Sequence, residues 1–512
     1  VSERVVKWLS AGLLLVLFSG IAIWNQAQVG IARDEVVYMN AGRGYAAWWS
    51  KLAAGDDGTV TEKTINRHFG GAMGRDNNPE HPPLMKTLFG LSEKAFGGWL
   101  GKTRAQRLPN AIFFGLLVAM VFLFARRAFG YPEAVVAAAL IGLMPRLLFH
   151  AGLAAFDAPM VTVWFAALYA YYRSLASPWK WGVLFGVFFG LCLATKHNAI
   201  MLPAAIGVHW IWVVVRELRQ RRAEQADAGF AGLLGRSLLA RGPLTIPAMV
   251  IIGPLVLVAL WPWLWFDTFA HVGSWLSFHF DHVHYNFEYL GTNWNHPPFP
   301  WHVVFVTTFF TVPVVTLVAA ITGTAALVVR WRRGRSAEPE RAPALLLFLS
   351  AGVAMGAFLI PTTPIFGAEK HWATAMPTVA IFAGVGLVVA ARLAAERLAA
   401  VGRRIPERPL IAGLALLAVV AAAVETFDAQ PYALSHYNAL AGGAPGGADH
   451  GMNRQFWGYS ARGVLPYLDQ VARDSDRDDL LVYFHDAEPA WGVYQAEGLI
   501  PRGMRRAANE WR

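Results

Sequence analysis

The chain has 512 residues, of which 55% are hydrophobic, 13% aromatic and only 15% charged, and its mean hydropathy is +0.38. Charge this sparse lies well below the ~25% of soluble domains and excludes a disordered protein, a disulfide scaffold and an ordinary soluble enzyme. The net charge is +10, from 44 Lys+Arg against 34 Asp+Glu, and Cys192 is the only cysteine, so no internal disulfide can form.

The first apolar run covers residues 5–24, opens beside Arg4 and Lys7 and lacks a small-residue cleavage site. It reads as an uncleaved span that starts in the cytoplasm. Further runs lie at 109–126, 134–149, 159–172, 181–194, 200–215, 246–266, 303–329, 344–360, 373–391 and 410–424. The pattern predicts an all-α polytopic membrane protein with about eleven transmembrane helices, several of them short for a bilayer. Arg126-Arg127, Arg173 with Lys180, Arg216 to Arg222, Arg330 to Arg335 and Arg392 to Arg408 all follow even-numbered spans. Every short basic cluster thus falls on one side, as the positive-inside rule requires. The basic excess is a topology signal, and nucleic acid is not an expected partner. A linker is expected at 335–343.

An odd number of spans places the C-terminus outside. The expected division is a transmembrane domain at 1–425, with outer loops at 25–108 and 267–302 carrying juxtamembrane helices, and a small extracytoplasmic α/β domain at 426–512. In that tail, 442–447 reads as a flexible turn-rich stretch, 464–471 as a helix and 480–484 as a buried strand.

Ionisable groups at membrane depth are costly and need partners or an aqueous cavity. Asp34-Glu35 follows the first span and precedes Val36-Val37-Tyr38-Met39 and Ala46-Ala47-Trp48-Trp49, which predicts an amphipathic surface helix. Adjacent helical residues point in different directions. One carboxylate is therefore expected to face a site while the other holds a neighbour; capping by Asp34 is the plainer alternative. His81-Pro82-Pro83-Leu84 predicts an extended stretch that starts a helix, with Lys86 about one turn inside, unless Lys86 only snorkels.

Arg146 and His150 end the third span, and Phe156-Asp157-Ala158-Pro159 opens the fourth. Asp157 can cap that helix, yet an Arg, a His and an Asp in one short outer turn call for partners. Lys196 and His197 interrupt two apolar spans on the side where the positive-inside rule disfavours lysine, so an anionic ligand and snorkelling both explain Lys196. His279, His282 and His284 lie in the second large outer loop. Their spacing matches no zinc motif, so a divalent metal stays open without being favoured. Glu369-Lys370-His371 precedes the tenth span, where a phosphate contact and an interfacial anchor weigh equally.

These motifs together resemble the family 39 glycosyltransferases, the protein O-mannosyltransferase and aminoarabinose transferase relatives with the C-type membrane fold. The resemblance runs from Asp34 to about Pro377. It rests on Asp34-Glu35, His81-Pro82-Pro83-Leu84, the stretch from Pro145 through Arg146 and His150 to Asp157 and Pro159, Ala194-Thr195-Lys196-His197-Asn198, and the loop from His279 to His284. It implies an enzyme that uses a polyprenyl-monophosphate sugar, with Asp34 at the family's catalytic Asp and Asp157 at its second acidic position. Lys86 sits where relatives place a basic group near the carrier phosphate. Lys370 and His371 stand where an Arg-rich stretch is expected.

A lipid-phosphate sugar suits a groove for its tail and cations at the rim for its head. Transfer needs a general base for the acceptor hydroxyl, for which we expect Asp34. Phosphate leaves without a general acid, but its developing charge needs fixed cations. Lys86, Arg146, Lys196 and Lys370 are the candidates, in that order. Asp157 would orient the acceptor or a neighbouring cation, and Glu35 completes the carboxylate set. His81, His150, His197, His279, His282 and Glu369 are expected to line the substrate. One attack from the far face inverts the anomeric carbon. No cofactor is required, and the partners are the donor lipid, an acceptor that is lipid, protein or glycan, and membrane lipids. The expected location is a bacterial inner membrane with the site on the periplasmic or extracellular side. A transporter or flippase of lipid-linked glycans is the alternative; it would show inverted repeats and mid-span charges.

Overall fold

A computed structural model describes residues 2–71, 77–225, 227–333, 338–365, 367–475, 480–484 and 488–507. Each of the eleven apolar runs falls on a helix or a broken helix pair. The first is α1 (Glu3–Gln26). Then come three helices of the first long loop, α2 (Arg33–Ala54), α3 (Glu62–Phe69) and α4 (Leu84–Leu100), followed by α5 (Lys102–Ala128). Helices α6 (Tyr131–Gly142) and α7 (Pro145–Ala151) bend by 66° at Met144-Pro145. Pro145 cannot donate a backbone hydrogen bond there. α8 (Asp157–Ser174) and α9 (Pro178–Leu193) lead into α10 (Leu202–Glu224) and α11 (Phe230–Ala240).

The next span is interrupted: α12 (Thr245–Pro247) and α13 (Gly253–Leu260) flank a π-turn at Ala248–Ile252. The second long loop holds α14 (Thr268–Phe280) and a hairpin of β1 (Phe287–Tyr289) with β2 (Thr292–Trp294). The run at 303–329 divides at Pro313 into α15 (Val303–Thr311) and α16 (Val314–Arg332). Then follow α17 (Glu338–Gly356), α18 (Met376–Ala400) and α19 (Glu407–Asp428). Part of the linker expected at 335–343, with Arg335, lies outside the described residues.

By length and composition, seven of these helices can cross a membrane, or up to nine if each bent pair is one span. Among the described residues that count stands below the expected eleven, because α8, α9 and α15 fall short of the length or hydropathy of a full span. α9 has 16 residues, and α8 carries Asp157 and Arg173 at its ends and is buried along nearly its whole length. α8 thus works as an interior helix, with protein on nearly all sides, whereas α9 buries one face and leaves Trp179 and Val183 exposed on the other.

The tail contains α20 (Gly443–Asp449), α21 (Leu465–Asp474) and α22 (Trp491–Ala496), with β3 (Leu480–Val482) parallel to β4 (Met504–Arg506). The helix read near 464 is present, and so is the strand near 480, though it is shorter than read and not buried: Leu481 is 71% exposed, because β3 pairs with β4 at the edge of a two-stranded sheet. The stretch 442–447, read as flexible, instead enters α20, because Gly442 turns the chain in the left-handed region (φ 80°) and Asn438 caps the turn before it. The tail packs Leu465, Phe484, Trp491 and Tyr494 against Ile31 and Val36 of the first loop. α2 and α4 meet backbone to backbone: a Cβ on Gly90 would stand 2.0 Å from the Gly42 carbonyl oxygen. This contact fixes the helix that carries Asp34.

Candidate active site

A cavity of about 1150 Å³ opens where the start of α2, the 78–81 turn, the start of α8, the 196–201 turn, the end of α14, the 357–371 segment and residues 453–457 converge. Among its lining residues are Asp34, His81, Asp157, Lys196, His197, His279, His282 and Lys370. Segments far apart in sequence thus bring eight of the expected site residues to one hollow.

Asp34 is the second residue of α2, with its side chain 30% exposed. Its Oδ2 accepts from the Trp457 indole Nε1 at 2.7 Å, and its Oδ1 from Arg33 Nε at 3.3 Å. The helix is capped instead by Glu35, whose Oε2 accepts from the Ala32 amide at 3.2 Å. The capping alternative for Asp34 therefore fails, and its carboxylate faces the cavity.

Asp157 opens α8 without capping it. Its Oδ1 accepts from Lys196 Nζ at 2.7 Å, so the pair sits at the cavity wall with Asp157 buried and Lys196 14% exposed. Lys370 Nζ lies 4.2 Å from the centre of the Trp457 ring and 4.9 Å from that of Phe456, in cation–π contact. Burial pulls its ammonium down to about 8, against the opposing pull of the Asp157 and Asp34 carboxylates.

The histidines form a stack. The His279 ring lies 3.7 Å from His197 and 5.4 Å from His81, centre to centre and close to parallel. His279 Nε2 donates to the Glu80 carbonyl at 3.0 Å. Burial holds His279 at about 4 and His81 well below the ordinary imidazole value. They are neutral near pH 7 and offer polar edges and flat faces rather than charge. His282 lines the same cavity. Among the described residues, no group of three or more His, Cys, Asp or Glu is arranged to hold a metal ion.

Arg146, His150 and Glu369 form a second layer behind the wall and do not line the cavity. Arg146 Nη1 donates to Glu369 Oε2 at 2.5 Å, while its Nε and Nη2 donate to the His436 carbonyl at 3.1 and 3.0 Å. His150 stands between Asp157 (Nδ1 to Oδ2, 3.8 Å) and Glu369 (Nε2 to Oε1, 4.0 Å). Burial raises the Glu369 carboxyl, with Arg146 opposing. These three brace the wall from inside the protein.

Two expected site residues are displaced further. Lys86, third in α4, is completely buried. Its Nζ donates to the carbonyls of Asn78 (2.5 Å) and His81 (2.8 Å) and to Tyr45 Oη (2.9 Å). The prolines turn the preceding loop back over the helix start, so the ammonium is spent on the 78–81 turn instead of a phosphate. Snorkelling fails for the same reason. Glu35 is also completely buried. It takes Arg107 Nε at 2.6 Å and Nη2 at 2.8 Å, and the Ala154 amide at 2.6 Å. It is the carboxylate that holds a neighbour, with no access to the cavity.

Sequence reasoning missed Arg33, Trp457 and Arg107. Arg107, just before the apolar run at 109–126 and at the end expected to be outside, where the positive-inside rule disfavours it, carried a usable signal. Arg33 is adjacent to Asp34 and was legible only as a neighbour. Trp457 gave none.

Residues 80–237 match the family model described as dolichyl-phosphate-mannose-protein mannosyltransferase. That match includes His81, Asp157 and Lys196, while Asp34, His279 and Lys370 lie beyond it. No curated protein matches the chain. Among solved structures, ArnT from Cupriavidus metallidurans bound to undecaprenyl phosphate aligns with a TM-score of 0.50 at 15% identity, over 99% of this chain and 86% of that one. The oligosaccharyltransferase AglB from Archaeoglobus fulgidus, in complex with an inhibitory peptide and a dolichol-phosphate, aligns at 0.49 and 14%, over 98% and 65%. The ArnT alignment shows a shared membrane fold, and with the motif match it bears out the family read from the sequence: the chain resembles the dolichyl-phosphate-mannose-protein mannosyltransferases, a family of membrane glycosyltransferases.

Proposed function

We propose that the chain is an inverting glycosyltransferase that moves a sugar from a polyprenyl-monophosphate carrier to an acceptor hydroxyl on the extracytoplasmic side. One observation carries this reading: the Asp34 carboxylate shares a single cavity with Lys196, Lys370 and Arg33. The carrier phosphate lies against Lys196 and Lys370, the two lysines that line the cavity; that ArnT is solved with undecaprenyl phosphate bound supports a ligand of this class. Its tail leaves past the apolar wall of Ile200, Met201, Phe358 and Ile360.

The acceptor hydroxyl meets Asp34, which takes its proton as general base. The hydroxyl oxygen attacks the anomeric carbon opposite the phosphate. The carbon–oxygen bond to phosphate breaks with its electron pair going to phosphate, and the cations stabilise that charge. Asp157 fixes Lys196 through the 2.7 Å bond, and the neutral imidazole stack presents flat faces and ring nitrogens to the sugar. The step as written uses no metal ion.

The helix ends support the extracytoplasmic side. The cavity lies at the starts of α8, α10 and α18, whose other ends carry Arg173, Arg221-Arg222 and Arg397. Arginine-rich ends favour the cytoplasm, which supports an extracytoplasmic cavity. Hexosyl and pentosyl donors, and lipid, protein and glycan acceptors, all suit it. The test is transfer by the purified protein in liposomes from a synthetic polyprenyl-phosphate sugar, followed as released polyprenyl phosphate. Release that requires Asp34 supports the reading; a protein that releases none from any hexosyl or pentosyl donor tried with glycolipid, peptide and glycan acceptors overturns it.

A further inference from the structure

The C-terminal segment has no task in the chemistry above, yet it grips the one stretch of backbone that leads to Asp34. The Arg33 amide donates to the Trp457 carbonyl at 2.8 Å, the Ile31 amide to Tyr494 Oη at 2.7 Å, and Arg462 Nη1 to the Val29 carbonyl at 3.3 Å. Gly30 passes so close that a Cβ there would stand 1.9 Å from the Tyr459 carbonyl oxygen. Trp457 itself sits in the left-handed region (φ 74°), followed by Gly458 at 65°. A bulky residue holds that conformation only where its surroundings over-determine it, and such residues gather at functional sites. Here the turn aims the indole N–H at Asp34 Oδ2 (2.7 Å) while the ring covers Lys370 (4.2 Å).

We propose that Trp457 is a positioning residue for transfer, and that the C-terminal segment belongs to the active site. The indole fixes one oxygen of the carboxylate and sets its rotamer, so that the remaining lone pairs face the acceptor hydroxyl. By holding Lys370 over the same ring, it also sets the distance between base and leaving-group cation. This inference rests on Asp34 being the base.

The test replaces the N–H without emptying the space. Trp457→Phe keeps an aromatic face but removes the donor, and benzothienylalanine at 457 keeps the indole shape with sulfur in place of N–H. The expected result is a turnover about tenfold lower or more with the donor KM within about twofold of the parent, since orientation of a base acts on the chemical step. In an Asp34→Asn background the same change at 457 should have no further effect. A purely structural role predicts instead a lower melting temperature with the surviving protein at parental turnover. If Asp34→Asn is inactive but both replacements at 457 turn over like the parent, the positioning proposal is overturned and the base reading stands. If Asp34→Asn transfers sugar normally, the base reading falls first and this proposal with it.

Discussion

Removing the Arg107 guanidinium is the sharpest test of how the structure divides labour between two adjacent carboxylates. Arg107 and Glu35 are 1% and 0% exposed. The guanidinium makes two bonds to Glu35 and three to the carbonyls of Gln26, Val29 and Gly30, at 2.9, 3.0 and 2.8 Å. Breaking a buried ion pair from one side costs about 3–5 kcal/mol because the other charge stays buried. The three carbonyls lose their donor as well, at roughly 1 kcal/mol each, though effects around one side chain are not additive. We therefore expect Arg107→Met to destabilise by about 4 kcal/mol or more, a large share of an ordinary ~5–15 kcal/mol of stability. The assay is thermal unfolding of purified protein in detergent. Glu35→Leu combined with Arg107→Met should recover much of the loss, since no charge is then left unpaired. Asp34→Asn, at a partly exposed side chain, should unfold close to the parent. An Arg107→Met protein as stable as the parent would refute the assignment of Glu35 to architecture.

Three other outcomes follow from the geometry. Lys370, held at about 8 by burial, is cationic below that value and neutral above it; donor affinity should fall as pH rises through about 8, and Lys370→Arg should carry the plateau higher because guanidinium stays charged. A parental profile in Lys370→Arg would contradict this. Asp157→Asn leaves Lys196 without its charged partner and should lower kcat/KM about tenfold to hundredfold, read by steady-state transfer; parental kinetics would remove Asp157 from the site. Lys86→Met should lower the melting temperature by loosening the 78–81 turn while leaving carrier-phosphate affinity within about threefold of the parent, measured by equilibrium binding of labelled polyprenyl phosphate; a larger loss would return Lys86 to the phosphate.

Apolar runs of the right length were legible as helices because hydropathy is local and the bilayer sets a length. Their number as spans was not, since a short run such as 181–194 reads the same whether lipid or protein surrounds it. Asp34, Asp157, Lys196 and Lys370 stood out because charge beside a membrane helix demands a reason. That all four face a common hollow depends on how segments far apart in sequence converge, and no local pattern records that. Lys86 shows the limit: the prolines that marked the helix start also wrapped its ammonium in carbonyls. Adjacency in sequence suggested a split between Asp34 and Glu35 but not its direction, which Arg107 decides from 72 residues away. Trp457 reaches Asp34 across 423 residues, and contacts of that range leave no periodicity to read.

The central claim is that the carrier's phosphate and the base meet in the cavity between α2 and α8. A structure determined with a polyprenyl phosphate bound tests it most directly. The account predicts phosphate oxygens within hydrogen-bond reach, roughly 2.7–3.2 Å, of Lys370 or Lys196, with the lipid tail leaving past Met201 and Phe358 and Asp34 on the far side of the sugar site. A phosphate bound at another face, with Lys196, Lys370 and Asp34 untouched, would contradict it.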